Sequence, residues 1–303
     1  MLLSLIITAK SEADPKLQDL LASIEEQEFP EEDFETLIIT EGTSESAKAI
    51  GIRRAKGEYI GILASDNVLS HPFFLSHITR RLGQWVAHYP VFYEHDWNDG
   101  LLTRYFALIG GNDPLSFYMG KNDKLPYWRR GLKDAVPHGY SPEEKTIGDN
   151  GFFIRRDLIN QTDLDNYYHI DNAVEALKKS KMPVFLLDGE IKHNTGGNLL
   201  SFIVKRYKYG LQHAFNSRRR WHLVDLKNPR DLWKLVAFCL LTITILEPLI
   251  TSMRGYLKKG DLAWFMHPVV CLMTLLTYAV LMLHVGIRGL FQSLSVLTGA
   301  QKA

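Results

Sequence analysis

The chain has 303 residues, 46% of them hydrophobic and 23% charged, with a formal net charge of +1. This composition fits a globular protein of one large domain or two ordinary ones, and the near-neutral charge argues against a strongly basic nucleic-acid binder. The two cysteines, Cys239 and Cys271, lie in apolar segments. They predict reduced, buried thiols rather than a disulfide framework or a metal site.

The first 64 residues alternate between strand and helix patterns. LLSLIITA is too short for a signal peptide and lacks a basic leader, so it predicts a first strand. DPKLQDLLASIEEQ predicts a helix after an Asp-Pro start, and FETLIIT, SESAKAIGIRRAK and GEYIGILA continue as strand, helix and strand. The βαβαβ order predicts an α/β fold with a mostly parallel, Rossmann-like sheet, in which ligands bind beyond the carboxyl ends of the strands.

Three polar segments follow the predicted strands: TAKSE at 8–12, TEGTSE at 40–45 and SDN at 65–67. They are expected to converge on one crevice. There the carboxylate of Asp66 is suited to hold a divalent cation that bridges two phosphates. Taken alone, an aspartate after a strand is more often a loop or helix-cap residue.

The order of these segments resembles a family 2 glycosyltransferase with the A-type nucleotide-sugar fold. That family has a PTYNE-like segment, a VDDGSTD segment and an A.GEYI.FLDADD segment that ends in the metal-binding DxD motif. The resemblance spans roughly residues 3–215 and is strongest in 3–75. It implies a bound divalent cation, Mg²⁺ or Mn²⁺, and a nucleotide-sugar site made by Thr8, Ala9, Glu12, Glu41, Arg53, Ser65, Asp66, Gly148, Asp149 and Asn150.

The sequence departs from the family pattern at several of these positions. Ala64 stands at the first DxD aspartate, Thr8 at the proline and Ser11 at the asparagine of the first motif, and Thr40 and Glu41 at the aspartates of the second. A catalytically degenerate copy that only binds therefore stays an alternative to an enzyme.

Residues 85–147 are rich in aromatic and turn residues and are placed where such transferases carry acceptor-specific insertions. They are either a long ordered loop or an acceptor-binding wall, with Asp113 and Asp123 as possible additional acids. The following segment, TIGDNGFFIRRDLI, resembles the family segment at which the backbone approaches the donor sugar, and a helix is expected from Arg156.

The family places its catalytic base in an ED motif, and here Asp171 matches the aspartate while Ile170 replaces the glutamate. An inverting transfer needs one base to take the proton of the acceptor hydroxyl. Asp171 is therefore the predicted base, with an ordinary helix N-cap as the alternative. His193 is a predicted ligand near the metal or the diphosphate, with a structural or surface histidine as the alternative.

From Leu232 onward two apolar segments, LWKLVAFCLLTITILEPLITSM and LAWFMHPVVCLMTLLTYAVLMLHVGI, are each near the ~20 residues that cross a bilayer. They predict a transmembrane hairpin with both termini cytoplasmic, because a basic cluster precedes it. Before it, LLSFIVKRYKYGLQHAF has the pattern of an interfacial helix. The predicted contacts to anionic head groups or a polyprenyl phosphate are Lys205, Arg206 and Lys208, with Arg218, Arg219 and Arg220 as membrane-surface anchors.

These expectations divide the chain into a glycosyltransferase domain at 1–198, with halves 1–84 and 85–198, an amphipathic segment at 199–231, and a hairpin with its tail at 232–303. The predicted activity is inverting transfer of a sugar from a nucleotide donor to a lipid-linked acceptor at the cytoplasmic membrane. SRRRW is similar to the QxxRW motif of processive polysaccharide synthases, but Ser217 replaces the glutamine. A processive synthase is therefore a further alternative.

Overall fold

A computed structural model describes residues 1–80, 87–130, 148–180, 184–195, 197–214 and 222–297. The described strands are β1 (Leu3–Thr8), β2 (Phe34–Ile39), β3 (Tyr59–Ala64), β4 (Asn67–Leu69), β5 (Ala87–Glu94), β6 (Phe152–Arg155) and β7 (Val184–His193). The described helices are α1 (Pro15–Glu25), α2 (Ser44–Arg54), α3 (Phe74–Thr79), α4 (Leu101–Ile109), α5 (Pro114–Met119), α6 (Arg156–Ile159), α7 (His169–Ser180), α8 (Leu199–Ala214), α9 (Pro229–Thr244), α10 (Leu246–Lys258) and α11 (Met266–Leu297).

The strands form one sheet in the order β2-β1-β3-β6-β5-β7-β4. β1 pairs in parallel with β2 and β3, and β5 pairs in parallel with β7. β6 lies antiparallel between β3 and β5, and β4 is antiparallel to β7. The predicted α/β fold with a mostly parallel sheet is therefore confirmed, and the sheet runs through both predicted halves of the domain.

The alternation of side chains along the strands explains the two core layers. Leu3, Leu5 and Ile7 of β1 pack on one face against α1 and α3, whereas Ile6 packs on the other face with residues of α2 and α7. Gly61 in β3 is required by close packing, because a Cβ there would lie 2.3 Å from the ring of Phe153 in β6.

The first predicted membrane span is not one straight helix. α9 ends at Thr244, Ile245 adopts a left-handed backbone with φ of 62°, and α10 continues at an 85° bend. Pro248 explains the position of the break, because its ring would clash with the carbonyl of Thr244 and it has no N–H to donate. The second segment is a helical stretch, Leu262–Arg288, long and apolar enough to cross a membrane. The two predicted membrane helices thus correspond to one bent pair and one long helix, that is, to one or two candidate spans in the described residues.

Candidate active site

The carboxyl ends of the three parallel strands meet at one edge of the sheet, as predicted. Thr8 at the end of β1 is level with Ile39 of β2 and with Ala64 of β3. Ala9 donates its backbone N–H to the carbonyl of Ile39 over 3.1 Å. Asp66 lies in the tight turn between β3 and β4, so its carboxylate is at this edge.

Asp66 and His193 form an ion pair at this edge, with 3.2 Å between Oδ1 and Nε2. The pairing of β4 with β7 brings His193 there, because it sits opposite Asn67, the residue after Asp66. Burial of Asp66 favours the neutral acid, but His193 and the more distant Lys205 and Lys16 outweigh burial and lower the pKa of Asp66 to about 2. The carboxylate is therefore ionised at neutral pH.

A carboxylate and an imidazole are donors that Mg²⁺ and Mn²⁺ accept, so this pair fits part of a cation site. Within the described ranges, no group of three or more His, Cys, Asp or Glu side chains comes together as a metal site. Asp66 and His193 can thus supply two ligands, and a bound diphosphate and water would have to supply the others.

A cavity of about 540 Å³ lies beside this pair and is lined by two kinds of residue. Its polar end lies at the sheet and includes Glu45, Lys48, Tyr93, Asn112, Asp123, Gly148, Asp149, Asn150 and His169. Its apolar end is formed by α5, residues 223–235 and α11, namely Leu115, Leu223, Val224, Leu226, Leu235, Leu281 and Met282, and it also contains Lys121 and His222. The arrangement can accommodate an amphiphilic molecule.

Hydrogen bonds connect the Asp66–His193 pair to the cavity. The side chain of Asn67 donates to Asn150 Oδ1 over 2.9 Å, and Asn150 Nδ2 donates to the hydroxyl of Tyr93 over 2.7 Å. Asn112 lies 3.4 Å from the other ring nitrogen of His193. Asn150, Tyr93 and Asn112 all line the cavity, so the predicted metal position and the cavity adjoin each other.

Lys48 of α2 is an almost fully buried cation of the site, with 2% of its side chain exposed. Its ammonium lies 2.6 Å from Asp149 and 3.1 Å from Glu45. Burial alone would lower the pKa of Lys48, but the two carboxylates outweigh it and raise that pKa above its ordinary value. Burial likewise opposes ionisation of Asp149, yet Lys48 and His169 hold the pKa of Asp149 well below its usual range.

His169 completes this cluster at the start of α7. Its backbone N–H donates to Glu45 Oε2 over 2.7 Å, and its Nε2 lies 3.0 Å from the carbonyl of Gly148. Because a carbonyl only accepts, Nε2 carries the proton and Nδ1 accepts from the hydroxyl of Tyr167 over 3.1 Å. Burial and the charge of Lys48 lower the pKa of His169, so its ring is neutral at pH 7.

Asp123 packs directly under the predicted donor segment. Its carboxylate accepts from the Tyr93 hydroxyl and, over 3.0 Å, from the backbone N–H of Gly148. A Cβ on Gly148 would lie 2.4 Å from Asp123 Oδ1, which explains the glycine at this position. Burial raises the pKa of Asp123 and lowers that of its neighbour Lys124, whose ammonium donates to the carbonyl of Asn150 over 2.9 Å.

Asp171, the predicted base, lies in the first turn of α7 and is 7% exposed. The helix begins at His169, so the alternative of Asp171 as the N-cap is wrong. The cavity wall at this point is made by Tyr168, His169 and Ile170, and Asp171 follows directly behind it. Ile170, at the position of the family glutamate, thus belongs to the cavity lining and supplies no carboxylate there.

Among the other predicted donor residues, Gly148, Asp149 and Asn150 line the cavity, whereas Thr8, Ala9, Glu12, Ser65 and Asp66 lie at the strand edge outside its lining. Two charged residues point to other partners: Glu41 pairs with Arg54 at 2.5 Å, and Arg53 pairs with Asp165 at 2.5 Å. Both pairs are exposed. The structure therefore does not bring Glu41 and Arg53 together with the cavity residues.

On the acceptor side, Arg206 of α8 lines the cavity between its polar and apolar ends. Its Nη1 lies 3.5 Å from Asp113 Oδ2, which also accepts from the Tyr278 hydroxyl, while its buried Nε has no hydrogen-bond partner in the described part of the chain. Lys205 and Lys208 are exposed on the same helix. The predicted anchors Arg218, Arg219 and Arg220 lie outside the described residues.

Sequence reasoning missed Lys48, Tyr93, Asn112 and His169, and it included Glu45 only as the end of the segment at 40–45. Lys48 had a detectable signal, because a lysine between Ala47 and Ala49 occupies the buried side of an otherwise small-residue helix face. The others reach the site only through the sheet order and the packing of α7, and their positions in the sequence carry no such signal.

No family model matches the chain, and no curated protein matches it. Among solved structures, the chain is similar to the mannosyltransferase PcManGT from Pyrobaculum calidifontis in complex with GDP-Man and Mn²⁺, with 13% identity, a TM-score of 0.48, and coverage of 90% of this chain and 85% of that chain. It is also similar to S. aureus TarS 1-349 in complex with UDP-GlcNAc, with 13% identity, a TM-score of 0.40, and coverage of 87% and 78% respectively.

Proposed function

We propose that the chain is an inverting glycosyltransferase of the A-type fold that moves a sugar from a nucleotide-sugar to a lipid-linked, polyprenyl-type acceptor at the cytoplasmic membrane face. One observation carries the proposal: a single cavity joins a polar end beside the strand edge to an apolar end between the C-terminal helices. A soluble donor suits the first end and an isoprenoid chain suits the second. The motif order in residues 3–75 supports the transferase class.

In this proposal the nucleotide diphosphate lies at the strand edge, next to Asp66 and His193. A divalent cation held there would neutralise charge on the departing diphosphate. Asp149 and Asn150 then face the sugar, with Asp149 kept ionised by Lys48 so that it can accept hydrogen bonds from sugar hydroxyls. Because Gly148 has no Cβ, this segment can pack directly against Asp123.

The chemistry is one displacement. With a saccharide acceptor, a hydroxyl oxygen attacks the anomeric carbon, a base takes its proton, and the diphosphate leaves with the electrons of the broken bond. With a polyprenyl phosphate acceptor, the attacking phosphate oxygen is already ionised and no base is required. We propose Asp171 as that base, reached by a small shift of the wall at 168–170. Asp149 is a poorer candidate because its lowered pKa makes it a weak proton acceptor, and both oxygens of Asp123 already accept hydrogen bonds.

Arg206 is suited to the phosphate of the acceptor, because it stands where the polar and apolar walls meet. Lys205 and Lys208, on the same helix, then lie at the level of the lipid head groups. A polyprenyl phosphate and a longer lipid-linked saccharide both satisfy this arrangement.

A second candidate, a binding protein that keeps the fold without turnover, is favoured by one observation: Ala64 supplies no carboxylate, and no third His, Cys, Asp or Glu joins Asp66 and His193 as a metal site within the described ranges. Its signature would be nucleotide binding without product.

The test is an assay with purified protein, extracted lipids and a panel of labelled nucleotide-sugars that includes GDP-mannose and UDP-GlcNAc, with and without EDTA. We expect label to be transferred to the lipid phase, and we expect EDTA to abolish this transfer. Donor binding by calorimetry without any labelled lipid would favour the binding protein, and the absence of both binding and transfer would refute the fold-based proposal.

A further inference from the structure

The three C-terminal helices each expose one apolar stripe. α9 exposes Trp233, Val236, Leu240 and Ile243, and α10 exposes Leu246, Leu249, Ile250, Met253 and Leu257. α11 exposes Val269, Leu276, Val280, Leu283 and Ile287. The intervals of three, four and seven residues place each set on one side of its helix, and Leu232 of α9 and Met282 of α11 are exposed beside these stripes. Each stripe is the solvent-facing side of a helix whose other side packs on the protein.

The opposite faces pack on the rest of the protein. Phe238 of α9 and Cys271 of α11 join a cluster with α5, and Trp264, before α11, joins one with α4. His267 of α11 accepts or donates a hydrogen bond at 2.7 Å with the buried hydroxyl of Tyr105 in α4. α9 and the first turns of α11 are therefore docked on the catalytic part.

α8 lies alongside α11 and limits how α11 can sit in a bilayer. Tyr207 of α8 hydrogen-bonds to His284, and Gly210 touches Leu281 so closely that a Cβ would lie 2.3 Å from it. The contacts pair residues 207 and 210 of α8 with residues 284 and 281 of α11, close to the end of the apolar stretch at Arg288. Lys205, Arg206 and Lys208 therefore lie at the level of that end, where a membrane surface suits charged groups.

Both ends of the bent α9–α10 pair are tied to the same side of the molecule. At the start of α9, Asp231 pairs with Lys121 at 2.6 Å. After α10, the ammonium of Lys259 lies 2.7 Å from His95 Nε2. Nearby, Asp261 forms an ion pair at 2.5 Å with Arg104 of α4. The pair thus leaves the catalytic part and returns to it without reaching a second side.

The exposed charged side chains that border the apolar stripes are positive. Within residues 227–288, the acidic side chains are Asp231, Glu247 and Asp261, and each is bonded to a protein partner. Exposed cations border the stripes at the beginning of α9 and the end of α10, namely Lys227, Arg230, Arg254 and Lys258. This complements an anionic phospholipid surface.

We infer that α9, α10 and α11 lie in the plane of one anionic leaflet, with their stripes in the acyl region, and that none of them crosses the bilayer. The protein is then monotopic, and the loop at 254–261 stays on the side of the catalytic part instead of facing outside. The inference does not depend on the transferase activity. It places the apolar end of the cavity at the depth of lipid tails.

Cysteine labelling separates the three possible topologies. In a variant without native cysteines (Cys239→Ser, Cys271→Ala), single cysteines are introduced at Glu32 as a catalytic-side control, at Lys258 in the α10–α11 turn, and at Lys302 in the tail outside the described residues. A membrane-impermeant maleimide is applied to spheroplasts and to inverted vesicles. We expect all three positions to react only in inverted vesicles.

Other labelling patterns would overturn the inference. Reaction of position 258 from spheroplasts with 302 protected would mean a spanning hairpin, and reaction of 302 from spheroplasts with 258 protected would mean that α11 crosses. Retention of donor binding or of the circular dichroism spectrum shows that the cysteine-free protein is folded, and conservative replacement of only Cys239 with blocking of the buried Cys271 provides a second background.

Vesicle flotation tests the lipid contact itself. The double variant Ile243→Glu/Leu283→Glu changes two exposed stripe residues, and Phe73→Glu changes an exposed apolar residue away from the stripes. With phosphatidylcholine:phosphatidylglycerol vesicles we expect the stripe variant to lose about tenfold or more in bound fraction and Phe73→Glu to match the wild type. Equal binding of both variants, or a loss seen only in self-association, would refute the leaflet assignment.

Discussion

Replacing Lys48 with methionine is expected to destabilise the fold strongly, because it leaves two carboxylates without their cation. At 2.6 and 3.1 Å, each pair has a gross attraction of about 5–6 kcal/mol at an effective dielectric constant of 20. Removing one partner of a buried pair typically costs about 3–5 kcal/mol. Asp149 is 31% exposed, so solvent screens part of this, and we expect a loss of about 2–4 kcal/mol, or roughly 5–15 °C in Tm.

The effect should be almost constant from about pH 5 to pH 9. The pKa of Asp149 is lowered in the folded state, so its contribution is complete above its unfolded value near 4 and disappears as the pH falls below that value. The pKa of Lys48 is raised, so its contribution is complete below about 10.5 and is lost above it. Between these limits both groups stay charged.

Urea unfolding in detergent, followed by tryptophan fluorescence, measures the change. The matched control is Lys56→Met, an exposed lysine for which we expect a change within ~0.5 kcal/mol. In the double variant Lys48→Met/Asp149→Asn, the losses should be non-additive by about 1–3 kcal/mol. Additive losses, or equal effects of the two lysine variants, would refute the view that this ion pair holds the site together.

The other predictions concern activity and the site geometry. Asp66→Ala should abolish cation-dependent transfer while the circular dichroism spectrum stays unchanged, and full activity would remove the metal role. Asp171→Asn should lower kcat by ~10²–10⁴ with donor Kd unchanged, whereas lost stability with normal turnover would leave Asp171 a structural residue. Gly148→Ala should lower the free energy of unfolding by about 1–3 kcal/mol, measured by urea titration against wild type. Arg206→Gln should raise the KM for lipid acceptor about tenfold without changing donor Kd, and Lys208→Gln is the matched control that should behave as wild type.

The strands and helices of the first 64 residues could be predicted because each has an unmistakable period. β1 and β3 are continuous apolar runs, as buried parallel strands require, and α1 begins with an Asp-Pro cap that the structure retains, with Asp14 accepting from Lys16 N–H over 3.1 Å. The position of Asp66 at the end of β3 follows from the same reasoning, because strand ends are set by local pattern.

Side-chain direction and long-range assembly could not be predicted. α7 begins at His169, three residues before the start at Asn172 that an N-cap at Asp171 requires, and Ile170 rather than Asp171 is in the cavity lining. The pairing of His193 with Asp66 depends on β7 lying next to β4, which no local pattern specifies. The break at Ile245 did have a signal, because Pro248 lies in the apolar run. A hydropathy average does not take into account that proline has no backbone N–H to donate.

The position of β6 has a consequence for how the chain is made. Tyr59–Ile62 of β3 pair with residues 152–155, so the outer edge of β3 has no partner until β6 has left the ribosome. At about 5–20 residues per second, that interval is roughly 5–20 s. During it, an apolar strand exposes unpaired backbone groups, which is the condition that favours aggregation. Synthesis of this protein should therefore depend on a chaperone that covers β3, and its yield should fall when translation slows between residues 65 and 155.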